Sequence, residues 1–264
     1  MSYEQVIIVR SKTRLEQLIE RFNTKAQAEF YIERNGGDFS LYQKEHEAFY
    51  RSLDSLVKEV QVFENFKIVD RYFLPSYLFS KEDLVIVLGQ DGLVANTAKY
   101  VMGQPIVAIN PDPETYDGIL LPFSLGHFKK RLDQLQAGHF KTKSITMAEA
   151  SFSDGQKLLA FNDFFVGPRI PISARYWIEF EDRREKQSSS GVLVSTGAGS
   201  TGWMSSVFNM VNGVENYHTH SSHHIDHPLK WESRILEFVV REPFLSRTTS
   251  VDICFGEIGE KEKL

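Results

Sequence analysis

Two short apolar runs, LVIVL at 84–88 and IVAI at 106–109, bracket a helical pattern at 93–102, and this arrangement constrains the fold most. Four or five apolar residues with no polar alternation suit a strand buried on both faces, which is the habit of parallel sheets. A strand, a helix and a second such strand make one crossover unit of a parallel sheet. Two further runs extend the series, VIIV at 6–9 and FKIV at 66–69. Between them lie three helical patterns. Ser11 is placed to cap the first, with Leu15, Leu18, Ile19 and Phe22 on one face. Thr24 is placed to cap the second, which Asn35-Gly36-Gly37 ends, and the third covers 41–60. The N-terminal half therefore predicts a doubly wound parallel α/β sheet.

The pattern changes near residue 138. Stretches 141–147, 157–166, 175–181, 192–196, 236–240 and 251–255 read as strands joined by short polar turns, with 183–190 (RREKQSSS) as a solvated turn and 203–211 as a helix. The expectation is two domains, an α/β domain over 1–138 and a β-rich, sandwich-like domain over 139–264, with the active site in the cleft between them. No internal repeat or low-complexity tract interrupts them, and the ending GEIGEKEKL reads as a charged tail or a truncation.

Charge and cysteine content narrow the partners. Thirty basic residues against 35 acidic ones leave a formal charge of -5, which disfavours nucleic acid or an anionic membrane as the main partner. The single cysteine, Cys254, permits no intrachain disulfide and fits a reducing compartment. The opening MSYEQVIIVRSKTRL has only four consecutive apolar residues, too few for a signal peptide or a membrane span. A cytoplasmic, globular protein is the expectation.

The chemistry concentrates where the run 84–88 stops, at Gly89-Gln90-Asp91-Gly92. Glycines at a strand-to-helix turn let the backbone approach a ligand, and the following helix offers free N–H groups and a positive dipole end. That combination attracts phosphate. A carboxylate set there can orient a hydroxyl, accept its proton or hold a phosphate-bridging metal. It can equally be a helix N-cap, for which aspartate is a favoured residue.

Four segments in order resemble the NAD kinase family: LVIVLGQDG at 84–92, IVAINPDPETYDGILLPF at 106–123, FNDFFVG at 161–167 with ISARYWIEF at 172–180, and SSSGVLVSTGAGSTGW at 188–203. The Asn-x-Asp-Pro form is closer to the divergent mitochondrial-type branch. The resemblance implies ATP- and magnesium-dependent phosphorylation of the adenosine-ribose 2′-hydroxyl of NAD, giving NADP. By it, Asp91 is the acid-base residue, Gly89, Gln90 and Gly92 form the phosphate loop, and Asn110 is the asparagine after the third strand. Asn162 and Asp163 hold adenine and ribose, Ser200 and Thr201 contact the nucleotide, and Trp203 offers an aromatic surface beside it. No metal-ligating residue is assigned, and a homodimer or higher homo-oligomer is implied. The chain departs from the pattern at Gln90 (glycine in the family), Leu93 (threonine), Asp163 (glutamate) and Gly197-Ala198 (proline-threonine), and a late Asp-Gly strand is not found.

Other readings attach to the same residues. GAGSTG at 197–202 satisfies the Rossmann dinucleotide pattern, and AGSTG at 198–202 is a variant nucleophile elbow with Asp226 and His227 downstream. HTHSSHHIDH at 218–227 holds five of the eight histidines and reads either as a metal-binding tract or as a polar loop. No Walker A sequence occurs. Two further functions stay open: a non-catalytic NAD(P)- or nucleotide-binding protein on the kinase fold, and a kinase for a different hydroxyl. Diacylglycerol and sphingosine kinases share the glycine-flanked aspartate, but would not be expected to carry the segments at 162–163 and 195–203.

Overall fold

The computed structural model describes residues 3–63, 65–220, 224–225 and 228–264. The chain divides into two compact units, Met1–Thr142 and Lys143–Leu264.

The first unit is built on a four-stranded parallel sheet of β1 (Gln5–Arg10), β2 (Phe66–Asp70), β3 (Asp83–Leu88) and β4 (Ile106–Ile109), in the order β2-β1-β3-β4. All six residues of β3 are buried: the apolar run Leu84–Leu88, as a parallel strand covered on both faces requires, and Asp83, whose carboxylate accepts from the Ser80 N–H at 2.8 Å. Alternate residues feed opposite faces. Val6, Ile8, Leu84, Ile86 and Leu88 pack with α3 (Phe39–Val60) and α5 (Phe128–Gln136), while Ile7, Val9, Val85 and Val87 pack with Leu93 and Val94 of α4 (Asp91–Ala98) and Leu74 of the 3₁₀ turn Arg71–Ser76. Both faces are covered, so the sheet is doubly wound. α1 (Arg14–Phe22) and α2 (Lys25–Arg34) close a separate small cluster around Leu15, Ala28 and Phe39.

Helix starts follow capping chemistry. Thr13, not Ser11, caps α1: its hydroxyl accepts from the Glu16 N–H, and the Glu16 carboxylate accepts from the Thr13 N–H. This reciprocal box needs the threonine three residues ahead of a glutamate, a spacing Ser11 lacks. Thr24 caps α2, and α3 begins at Phe39 behind Asp38. α4 starts at Asp91 and ends at Ala98, shorter than the periodicity to Met102 predicts.

The second unit is strand-rich and mostly antiparallel. Its main sheet orders β12 (Phe255–Ile258), β11 (Leu236–Arg241), β10 (Gly191–Ser195) and β7 (Asp163–Val166), and two hairpins pair β5 (Ala148–Ser151) with β6 (Lys157–Ala160) and β8 (Ala174–Phe180) with β9 (Arg183–Ser189). The stretch 141–147 is irregular: Lys143 lies over the Trp231 ring and the Thr146 N–H bonds the Trp231 carbonyl, so this segment follows residue 231 rather than a sheet ladder. The expected strand 157–166 breaks at Phe161-Asn162 into β6 and β7. The last strand is 255–258 rather than 251–255, because the amides of Asp252 and Ile253 bond the Glu185 carboxylate instead.

The largest correction is at 183–190, a solvated turn by sequence and strand β9 in the structure. Glu185, Gln187, Ser188 and Ser189 are buried. Their polar atoms are satisfied internally: the Gln187 side-chain amide donates to Glu185 and to the Ile253 carbonyl at 3.0 Å, and the Tyr176 hydroxyl bridges Gln187 and Ser189 at 3.1 and 2.8 Å. A polar strand is tolerated inside because each buried group finds a partner.

Among the described residues no helix is long and apolar enough to cross a membrane.

Candidate functional site

In the first unit the chain leaves β1 toward β2 on one side and β3 toward β4 on the other, so the winding direction reverses between β1 and β3. Open α/β sheets bind ligands outside the carboxyl ends of their strands at this switch point. A cavity of about 690 Å³ lies there, lined by residues that follow each strand: Ser11 and Lys12 after β1, Arg71 after β2, Gly89 and Gln90 after β3, Pro111 and Asp112 after β4.

Its walls carry both signs of charge. Lys12 pairs with Glu20 and Arg14 with Glu45, while Arg71 forms no ion pair among the described residues. Arg10, at the end of β1, is mostly buried. Its guanidinium donates to Glu16 at 2.7 Å and Tyr50 at 2.8 Å and lies 3.7 Å from Asp70. Burial pushes the Glu16 carboxyl up, but the bonds from Arg10, the Thr13 amide and Tyr50 together hold it below its ordinary value. This network fixes the floor beneath the Ser11–Arg14 segment.

The phosphate-loop candidates fall into distinct settings. Gly89 is buried, and a Cβ there would meet the Leu93 side chain at 2.8 Å, so a larger residue would have to displace that buried leucine. Gly92, the second residue of α4, is exposed and faces open space. Gln90 is exposed, lines the cavity and makes no capping bond to α4. Its amide instead reaches the Tyr116 hydroxyl, whose pKa is raised by burial and by the nearby Glu45 charge, the Gln90 bond opposing.

Asp91 is not an N-cap. It is the first helical residue, with Gln90 as the cap, and its carboxylate crosses to the loop after β4, accepting from the Leu120 N–H at 2.8 Å and the Ile119 N–H at 3.2 Å. Asn110 is buried at the end of β4, and its side chain bonds the same loop: Nδ2 donates to the Tyr116 carbonyl at 2.8 Å and Oδ1 accepts from the Asp112 N–H at 3.0 Å. The first two sequence segments thus meet.

The second pair meets within the second unit. The Thr196 N–H bonds the Asn162 carbonyl at 2.9 Å and its hydroxyl bonds the Phe161 carbonyl at 2.6 Å. Gly199 lies against them, and a Cβ there would fall 2.3 Å from the Asn162 carbonyl oxygen and 2.6 Å from Asp163 Oδ1. Glycine is the residue this contact admits. Asp163 pairs with Ser195 across β7 and β10. Its Oδ1 is buried with no hydrogen-bond partner among the described residues, and burial raises the pKa of the carboxyl, the Ser195 hydroxyl opposing. This oxygen faces the Gly199 backbone rather than open space.

Ser200 is buried, its hydroxyl donating to the Gly197 carbonyl at 2.9 Å, whereas Thr201 is exposed. Trp203 is 39% exposed and its ring sits 5.3 Å from Phe165, with the Arg241 guanidinium 5.2 Å from the Trp203 centroid. Together they form a cationic–aromatic surface.

Three competing motifs lose their context. GAGSTG leads through α6 (Ser205–Thr219) to β11, which is antiparallel to β10, so no Rossmann crossover exists. The inward Ser200 hydroxyl does not stand exposed as a nucleophile elbow requires, and Asp226 and His227 lie outside the described residues. In the histidine tract, His218 lies in α6, His220 ends it, and His224 contacts Asn212 at 3.0 Å, while His223 and His227 are outside the described residues. No cluster of three metal-ligating side chains occurs among the described residues.

Sequence reasoning missed Tyr116, Arg14, Glu45 and Arg71, which line the cavity, and the Ile119 and Leu120 amides. The available signal was positional: residues just after each parallel strand border a switch-point ligand site.

No family model matches the chain. It is 27% identical over 153 residues to an NAD kinase of Saccharolobus islandicus, covering 58% of this chain and 55% of that protein. It is 23% identical over 250 residues to the human mitochondrial NAD kinase 2, covering 75% of this chain and 57% of that one. The chain thus spans little more than half the length of these curated relatives. In fold it is similar to the yeast NADH kinase solved with NADH, with a TM-score of 0.55 and 12% identity over 99% of this chain and 71% of that one. It is also similar to the Archaeoglobus fulgidus NAD kinase solved with ATP, with a TM-score of 0.52 and 14% identity over 98% of this chain and 78% of that one. In sequence and in fold, the chain resembles NAD kinases.

Proposed function

We propose that this chain, which resembles NAD kinases in sequence and in fold, is an NAD kinase-type phosphotransferase that converts NAD to NADP with ATP as donor. The observation that carries the reading is the pairing of its four segments: Asp91 is bonded to the loop that Asn110 organises, and Asn162-Asp163 is packed on Thr196 and Gly199.

The chemistry asks little covalent work of the protein. A secondary hydroxyl is a poor nucleophile, and phosphoryl transfer depends on alignment and charge neutralisation. An ionised carboxylate has about four lone-pair sites, and Asp91 gives one on each oxygen to the Leu120 and Ile119 amides. The sites left over suit it to accept the proton of a ribose 2′-hydroxyl. The start of α4, with Gly92 open, suits phosphate oxygens, and Arg71 supplies a cation without an ion-pair partner among the described residues. Asn162 and Asp163 supply an amide and a carboxylate for adenine and ribose, with Thr201 exposed and Ser200 shaping the turn beneath. Trp203 supplies a stacking surface. Magnesium would supply charge neutralisation on the donor phosphates; of the carboxylates lining the cavity, Glu20, Glu45 and Asp70 face Lys12, Arg14 and Arg10, and Asp112 is the one that would be left to hold it. The reading includes a cytoplasmic homodimer or higher homo-oligomer, which light scattering on the purified protein checks for assembly.

The test is direct. The protein is incubated with NAD, ATP and magnesium, then with polyphosphate in place of ATP, and NADP is quantified; no NADP from folded protein with either donor sinks the reading. A second reading, nucleotide binding without turnover, is favoured by the Gln90 side chain standing against Tyr116 where the family has glycine. Calorimetric NAD or NADP binding with no product from any donor selects it.

A further inference from the structure

We propose that Asn110 is a positioning residue that sets the Asp91 carboxylate through the loop between them; the inference rests on the catalytic reading of Asp91. Asn110 is 5% exposed, and both atoms of its side-chain amide are engaged with loop backbone, at the Tyr116 carbonyl and the Asp112 N–H. The spare N–H and the spare lone pair of that amide have almost no open surface from which to reach a nucleotide. The loop is closed from both ends. The Asn110 N–H bonds the Phe123 carbonyl at 2.9 Å, and the Leu121 N–H bonds the Gly118 carbonyl at 2.9 Å. Gly118 holds φ at +64°, and a Cβ there would stand 2.7 Å from Asn110 Nδ2. The turn at Gly118 therefore presses on the Asn110 amide, and the next two residues present their N–H groups to Asp91, one to each carboxylate oxygen.

These two bonds are the hydrogen bonds of the Asp91 carboxylate among the described residues. Its aim is thus fixed by the position of two loop amides, and theirs by Asn110. An acid-base group must sit within hydrogen-bond reach of the proton it takes, and a misplacement of about 1 Å costs on the order of 100-fold in rate. Loosening the loop moves the carboxylate without removing any group that touches substrate.

The test uses the full chain as wild type, Asn110→Ala, Gly118→Ala and Asp91→Asn, each checked for folding by circular dichroism. Hydrogen exchange is read at the Ile119 and Leu120 amides, and kcat and KM are read for NADP formation. Asn110→Ala and Gly118→Ala should both speed exchange at these two amides, as should Asp91→Asn. They should lower kcat by roughly 10- to 100-fold with KM for NAD and ATP within about two-fold. Adding Asn110→Ala to Asp91→Asn should lower kcat no further. Unchanged exchange overturns the inference, as does a raised KM with kcat kept, which marks direct nucleotide contact. Faster exchange with unchanged kcat overturns it too. If wild type makes no NADP, the functional reading fails by itself, and the exchange measurement alone decides whether Asn110 holds Asp91.

Discussion

At the scale of single residues, the most informative atom is Oδ1 of Asp163, buried and without a hydrogen-bond partner among the described residues. Burial raises the pKa of this carboxyl. An aspartate so raised binds its proton more tightly when folded than when unfolded. The stability it contributes is full below the ordinary aspartate value and is lost as pH rises through the raised one. Asp163→Asn removes that dependence, so its melting temperature relative to wild type should climb between about pH 3 and pH 6; a constant offset across that range contradicts the assignment. Gly92 offers a second test. A methyl group there meets nothing within 4 Å, and alanine has less backbone freedom to lose on folding than glycine. Gly92→Ala should therefore keep or slightly raise stability while weakening nucleotide binding, as calorimetry reads it. Unchanged affinity would show that no phosphate approaches this backbone.

At the scale of elements, buried polar strand β9 holds the second unit's hairpin to the segment 252–253. Gln187→Ala strands the Ile253 carbonyl, takes one bond each from the Tyr176 hydroxyl (which keeps Ser189) and Glu185 (which keeps the Ile253 N–H), and should cost about 1–3 kcal/mol in denaturant unfolding. A loss under about 0.5 kcal/mol would mean these groups find other partners. This is also where the sequence was least legible. The parallel strands β1 to β4 announced themselves as unbroken apolar runs, because burial on both faces leaves no room for polar residues. RREKQSS reads as solvent-facing by composition, and only tertiary partners from 176 and 252–253 make it an interior strand. Capping was half-legible in the same way. Thr24 was plain, whereas the Thr13–Glu16 box was overlooked for Ser11. Among the candidate site residues, Asp91 stood out because glycines flank it where an apolar run stops, and Asn162-Asp163 only through the family resemblance. Tyr116 and the Ile119 and Leu120 amides did not, since a loop's backbone donors leave no mark in composition.

At the scale of the whole molecule, two units each bring together residues that are distant in sequence. In the first, residues 91 and 119–120 meet at the carboxyl edge of a parallel sheet; in the second, residues 162–163 and 196–199 meet across two antiparallel strands. The central claim is that Asp91 takes the proton of a ribose hydroxyl during phosphoryl transfer. It is tested most directly by supplying NAD and γ-labelled ATP with magnesium to wild type and to Asp91→Asn, and locating the label. The account predicts label on the adenosine-ribose 2′-oxygen with wild type, and a rate lower by about 100- to 10,000-fold for the variant at matched nucleotide binding. Equal label transfer by the two proteins would contradict it, as would folded wild type that binds both nucleotides and transfers none.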